Sequence, residues 1–280
     1  MQEPTAAASR CSDVPACVLL DTVCRNEPCV NETTARAVTS AGWPLEVSFQ
    51  LVEPTGLSRC LFHYAAPTSS ESGDCRTSSA RVTGADGAFV LICVRFPEPS
   101  GNDWTETEFF VYKAGPGAPS LHLIPRPYTC HLNSNYVAVI SCDDDDGVPG
   151  GSHCLVVVPE RNREAGSWMS YDYELQIFST KTMLWSSKVA RMAHDSEGYI
   201  DSNFHPGKVF AVGGGAVAWV DMRHGILLCD DMRREDPEMR VIQLPPLGPT
   251  NEPWLGRGSM AALDSIRDVT ACRDGWLRFI

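Results

Sequence analysis

What the sequence lacks narrows its class before any motif is found. No window of twelve residues places apolar side chains at i, i+3, i+4 and i+7 with capping signals, so amphipathic helices are nearly excluded. Uninterrupted apolar stretches such as Phe89 to Val94 are only strand-length, far short of the ~18 residues that would suggest a membrane span. The N-terminus, Met1-Gln2-Glu3-Pro4, has neither a basic region nor an apolar run, and so does not resemble a secretory signal. Positive charge is scarce as well. Against 35 Asp and Glu stand 23 Lys and Arg, a formal charge of −12, which lacks the basic footprint that phosphate contacts require. Neither nucleic acid nor membrane is expected as a partner, and the cytosol or nucleus is the expected compartment.

Catalytic and metal-binding signatures are also missing. The twelve cysteines form no C-x-x-C, and Cys24-x₄-Cys29 has no second knuckle or His pair to complete a zinc site. Cys93, Cys154 and Cys229 sit inside apolar strand patterns, where a reduced Cys acts as a small hydrophobe. The seven histidines show no H-E-x-x-H spacing, and no G-x-S-x-G elbow supports a Ser-His-Asp triad. Asp143-Asp144-Asp145-Asp146-Gly147 resembles a calcium loop, but the twelfth position is Cys154 where an EF-hand needs Glu. It is read as a solvated connection, so no metal and no cofactor is assigned. The recurring tryptophans, Trp104, Trp168, Trp185, Trp219, Trp254 and Trp276, fall near strand ends and are read as packing between sheets.

What is present is apolar β-forming sequence. Apolar residues make up 43% of the 280 positions and charged residues 21%, enough for a sizeable core. Short runs bounded by Gly, Pro, Asn and Asp recur about every ten residues from Ala16–Asp21 to Trp276–Ile280. Three segments share one grammar: Phe109 to Pro125, Leu175 to Ser187, and Ile226 to Pro245. Val111 to Ile177 spans 66 residues and Ile177 to Leu228 spans 51, somewhat long for the ~40–50-residue blade of a propeller. Lys208–Val212 and Ala216–Asp221 flank Gly213-Gly214-Gly215, a hairpin turn able to take positive φ. With Gly225–Asp230 and Met239–Leu244 they make one four-stranded antiparallel unit. A second runs from Tyr136 to Ala190, and a third from about Arg81 to Pro125. The expected fold is all-β, a β-propeller-like array of four-stranded antiparallel blades, with a β-sandwich as the alternative. The expected organisation is a tail over residues 1–14 and a single domain over 15–280. Its last strands, Arg267–Cys272 and Trp276–Ile280, look like the first hairpin of another blade. Truncation there is the favoured expectation, ahead of ring closure by pairing with N-terminal strands.

One constellation resembles a known family. Trp219-Val220-Asp221-Met222-Arg223-His224-Gly225-Ile226-Leu227-Leu228-Cys229-Asp230, followed by Arg240-Val241-Ile242-Gln243-Leu244-Pro245, resembles the core of a plant family expanded in grasses, domain of unknown function 1618. Val18-Leu19-Leu20-Asp21, Val47-Ser48-Phe49 with Leu57-Ser58-Arg59, and the final hairpin resemble other parts of it, so the likeness runs from about residue 15 to the end. Members commonly carry an aromatic and a basic residue where Arg223 and His224 stand, and often Trp in place of Cys17. The resemblance implies a propeller-like region of the kind that follows F-box domains. It implies no activity, so no catalytic residue carries over. Trp219, Val220, Asp221, Gly225, Ile226, Leu227, Cys229, Asp230, Leu244 and Pro245 are taken as its structural motif.

The expected function is a non-enzymatic interaction module that binds a protein or peptide on a loop-lined face through a few aromatic anchors. Two alternatives remain open. One is a hydrolase of carbohydrate or ester bonds that uses the strand-end carboxylates Asp221 and Asp230. The other is a decaying duplicate without maintained function. Asp221 and Asp230 are also the residue type that caps tight turns through backbone N–H groups, and the turn reading is preferred.

Overall fold

A strand buried on both faces must be apolar at consecutive positions, and the runs Phe89–Pro97, His153–Asn162 and Ala216–Asp221 have that pattern. In the computed structural model each is an inner strand of a sheet whose two faces are covered by the neighbouring sheets. The structure describes residues 17–64, 78–97, 105–115, 117–126, 134–142, 153–162, 172–193, 204–246, 263, 266–272 and 276–280. Among these the chain is all-β, with one 3₁₀ turn at Ser134–Tyr136. No helix there is long and apolar enough to cross a membrane.

Three successive four-stranded units follow the chain in order. The first comprises β6 (Ser79–Asp86), β7 (Phe89–Pro97), β8 (Thr105–Lys113) and β9 (Ser120–Leu123), all antiparallel. The next has β10 (Ala138–Cys142), β11 (His153–Asn162), β12 (Asp172–Ser179) and β13 (Leu184–Met192). The third has β14 (Lys208–Gly213), β15 (Ala216–Asp221), β16 (Gly225–Cys229) and β17 (Glu238–Ile242). These are the three units expected from the sequence. Gly213, Gly214 and Gly215 all take positive φ at the β14–β15 turn, as their run implied. A two-residue parallel pairing of β13 with β17 joins the second and third units edge to edge.

An N-terminal unit precedes them, built from β1 (Leu19–Leu20), β2 (Arg25–Asn26), β3 (Ala35–Val38), β4 (Pro44–Gln50) and β5 (Leu57–Tyr64). Here β3, β4 and β5 are antiparallel, while β1 and β2 both lie parallel on β5. The last two strands, β18 (Val269–Ala271) and β19 (Leu277–Phe279), form the expected hairpin. Three strands were not foreseen. β2 is only the polar pair Arg25-Asn26, β3 is a four-residue Ala-Arg-Ala-Val run, and β6 interrupts its apolar alternation with Thr83-Gly84, where a bulge shifts the register.

The packing explains the regular grammar. Leu45, Val47, Phe49 and Phe62 face Ala80, Ile92, Val94, Phe110 and Tyr112 across the first interface. Leu91, Cys93, Phe109 and Val111 meet Val139, Cys154, Val156 and Phe178 across the second. Ile140, Val157, Leu175 and Ile177 meet Val217, Trp219, Leu227 and Cys229 across the third. Ala218, Val220 and Ile226 meet Val269 across the fourth. Odd and even residues of one strand therefore belong to different cores, as period-2 alternation requires. The first strands of the three units, β6, β10 and β14, lie close to one another along the inner edge of the array.

Burial also sets the thiol chemistry. Desolvation pushes Cys93 up to about 11 and Cys154 and Cys229 up to about 12. A thiol held neutral by folding stabilises the native state fully below the unfolded thiol pKa of ~9, and that contribution is lost as pH rises through the folded value. We expect stability to fall between about pH 9 and 12, followed by urea midpoints across that range. Replacing Cys93, Cys154 and Cys229 by Ala or Val should flatten the decline.

Candidate functional site

The hairpin β15–β16 turns through Met222-Arg223-His224, and Asp221 organises the turn. Its side chain is fully buried. One carboxylate oxygen accepts from the backbone N–H of Arg223 at 2.8 Å and of His224 at 3.2 Å. The other accepts from the His205 N–H at 2.8 Å and lies 2.8 Å from Nδ1 of His224. A buried carboxylate is tolerable only when so surrounded by donors. Gly225 closes the turn with φ +130°, and a Cβ there would stand 2.7 Å from the backbone oxygen of Ile242. Gly225→Ala is therefore expected to cost about 2 kcal/mol or more, read from the urea midpoint.

The remaining motif residues divide between two cores. Trp219, Leu227 and Cys229 face the unit that begins at β10, and Trp219 Nε1 donates to the Tyr136 carbonyl at 2.9 Å. Val220 and Ile226 face the final hairpin, where Leu244 packs as well. The Pro245 carbonyl accepts a hydrogen bond from the guanidinium of Arg267. Arg267, itself 8% exposed, also donates to Met222 O at 3.0 Å and lies over the Phe279 ring at 4.9 Å. It pins the β15–β16 turn to the last hairpin, and burial lowers its pKa. Arg267→Ala leaves two carbonyls without their donor, and we expect a loss of about 2–3 kcal/mol in equilibrium unfolding. Arg267→Lys should recover only part of it, because an ammonium lacks the planar fork.

Asp230 is not a partner of Asp221. The sequence placed both at neighbouring strand ends, but in an antiparallel hairpin the end of β15 is the start of β16. The two carboxylates therefore stand at opposite ends of β16, roughly 17 Å apart along the strand. Asp230 instead lies 3.6 Å from Arg240 and 3.9 Å from Arg234. That separation exceeds the ~5–9.5 Å of paired glycosidase carboxylates, so the hydrolase reading loses its pair.

Beside Asp221 lies a pocket of about 190 Å³ lined by Tyr136, Pro159, Tyr173, Phe204, His205, Trp219 and Leu227. Its wall comes from the 3₁₀ turn, β11, β12, the lead-in to β14, β15 and β16. The Tyr136 hydroxyl donates to Phe204 O at 2.8 Å and lies 3.2 Å from Nδ1 of His205, which is exposed at the mouth. The lining is mostly apolar and aromatic, with the Tyr136 hydroxyl and the His205 ring at a polar rim. Antiparallel alternation brings the start of β10, the end of β11, the start of β12, the end of β13 and the β15–β16 turn at 222–224 to this same end of the sheets. Sequence reasoning named Trp219 and Leu227 here and missed Tyr136, Pro159, Tyr173, Phe204 and His205. His205-Pro206-Gly207 signalled a turn and nothing more.

Among the described residues no three His, Cys, Asp or Glu side chains group as metal ligands. The Asp143–Gly147 run lies outside the described residues, as do Trp104, Trp168 and Trp254. Trp276 departs from the packing expected of the tryptophans and is 72% exposed.

Residues 219–280 match the model of a family described as Protein of unknown function (DUF1618). The match begins at Trp219 and takes in Asp221, Gly225, Arg267 and the final hairpin. No curated protein and no solved structure matches the chain.

Proposed function

We propose that this chain is a non-enzymatic interaction module whose aromatic pocket receives one apolar or aromatic side chain of a basic peptide segment. The pocket at the end of the third interface carries the reading. It is concave, built from six separate elements, rich in rigid aromatic surface, and rimmed by the Tyr136–His205 contact. A formal charge of −12 favours a partner of opposite sign through steering and complementarity. The reading goes with a propeller-like closure of the array, with the family likeness continuing upstream of Trp219 into a plant, F-box-associated type of region, and with a cytosolic or nuclear setting.

The test is fluorescence anisotropy with labelled decamers, basic or acidic, bearing Phe, Leu or Ala at the centre. Basic peptides with a central Phe or Leu should bind, and His205→Ala and Tyr136→Phe should weaken them by about tenfold. Absence of binding, or binding indifferent to both variants and to the central residue, would overturn the reading.

A further inference from the structure

The N-terminal segment does not simply add to the edge of its sheet. It starts parallel to β5 with Leu19 opposite Leu57 and Leu20 opposite Ser58. It resumes with Arg25 opposite Leu61 and Asn26 opposite Phe62, two residues out of the first register. In between, the chain crosses to the next sheet. There the Thr22 carbonyl accepts from the Val82 N–H at 2.9 Å, Val23 bridges Arg81, and the Cys24 N–H donates to Ala80 O at 3.0 Å. Residues 21–24 thus clasp the N-terminal unit to the β6–β9 unit.

Continuing the second register back by one residue sets Cys24 opposite Cys60. Directly opposed residues on adjacent strands lie within the ~4.4–6.8 Å Cα separation a disulfide spans. Both side chains belong to the same core between the two units, with Cys24 a direct neighbour that acts on the Cys60 thiol. Both are reduced here. The neighbouring Cys24 thiol and burial together push the Cys60 thiol up, so it stays neutral until a reaction draws its proton away. Cys24 is 7% exposed and Cys60 0%, which orders their encounter with a reagent.

We propose that Cys24 and Cys60 are a built dithiol site that closes reversibly to a disulfide, with a low-molecular-weight disulfide such as oxidised glutathione as the oxidant. The Cys24 thiolate attacks one sulfur of the oxidant, forming a mixed disulfide and expelling one thiolate. The Cys60 thiol then attacks the Cys24 sulfur of the mixed disulfide, its proton passing to the departing thiolate, which leaves as the second thiol. Two electrons and two protons leave the pair, and the oxidant becomes two thiols. The bond would fasten the clasp covalently to β5. In a reducing compartment it would form only transiently, as a response to oxidation.

The test incubates the purified 280-residue chain with oxidised glutathione at neutral pH under native conditions. Free thiols are then blocked, and non-reduced peptides are mapped by mass spectrometry. A peptide pair linked through Cys24 and Cys60, released by dithiothreitol, is the expected result. It should be accompanied by a Tm higher by about 5 °C than in the reduced chain, and Cys24→Ser and Cys60→Ser should each abolish that rise. The exposed Cys17 and the half-buried Cys29 and Cys272 serve as internal controls. Recovery of Cys24 and Cys60 as blocked thiols, or their linkage only to glutathione or to those controls, would overturn the proposal. Because peptide mapping reads the bond directly, it stands even if a serine variant folds poorly.

Discussion

Trp219→Ala is expected to remove about 4 kcal/mol of stability, the largest effect of any single truncation in the third interface. Trp219 is fully buried, and its indole packs between the sheet of β10–β13 and its own sheet. Deleting it takes away the largest fully buried side chain among the described residues and opens a void that runs into the neighbouring pocket of about 190 Å³. The Tyr136 carbonyl loses its donor at the same time. Trp219→Phe separates these contributions: it keeps most of the volume and loses the hydrogen bond, so a cost of about 1–2 kcal/mol is expected. Urea denaturation followed by far-ultraviolet circular dichroism checks both. Near-equal midpoints for Trp219→Phe and Trp219→Ala would show that the hydrogen bond, and not the packing, dominates.

Asp221→Ala is expected to cost about 3 kcal/mol, although it removes no apolar surface. Four donors converge on that carboxylate: three backbone N–H groups and the His224 ring. None finds a replacement when the side chain is cut back, and the N–H groups of Arg223 and His224 would lose the cap that shapes the turn into β16. Asp221→Asn should be nearly as harmful, because its amide nitrogen must face one of those donors. His224→Ala should be milder, about 1 kcal/mol, since the backbone bonds to Asp221 survive it. The same equilibrium unfolding series ranks the three. If Asp221→Asn were neutral while His224→Ala were severe, the imidazole and not the turn would be what the carboxylate serves.

The β16 hairpin shows how much could be read in advance. Ala216–Asp221 occurs with the same bounds as expected, because alternating apolar faces and terminal turn residues are local properties of the chain. β2 escaped notice because Arg25 and Asn26 are exposed and carry no apolar signal. Its pairing exists only because β5 offers it an edge. Asp221 was legible as a turn cap, since the donors from Arg223 and His224 are two and three residues away in sequence. The His205 donor, sixteen residues away, was not legible. Five of the seven pocket residues were missed for the same reason: nothing within a few positions of Tyr136 or Tyr173 marks them as neighbours of Trp219.

By itself the sequence determined the all-β class, most of the strands, the three four-stranded units and the Gly-rich turn at Gly213–Gly215. Each follows from side-chain alternation and backbone freedom within about ten residues. Only the tertiary structure decided that Asp221 and Asp230 stand at opposite ends of one hairpin, that six elements converge on one aromatic pocket, and that Cys24 meets Cys60. Those relations depend on strand register and on which sheet packs against which. A shift of one residue reverses every side chain's face while leaving the local pattern of the sequence unchanged.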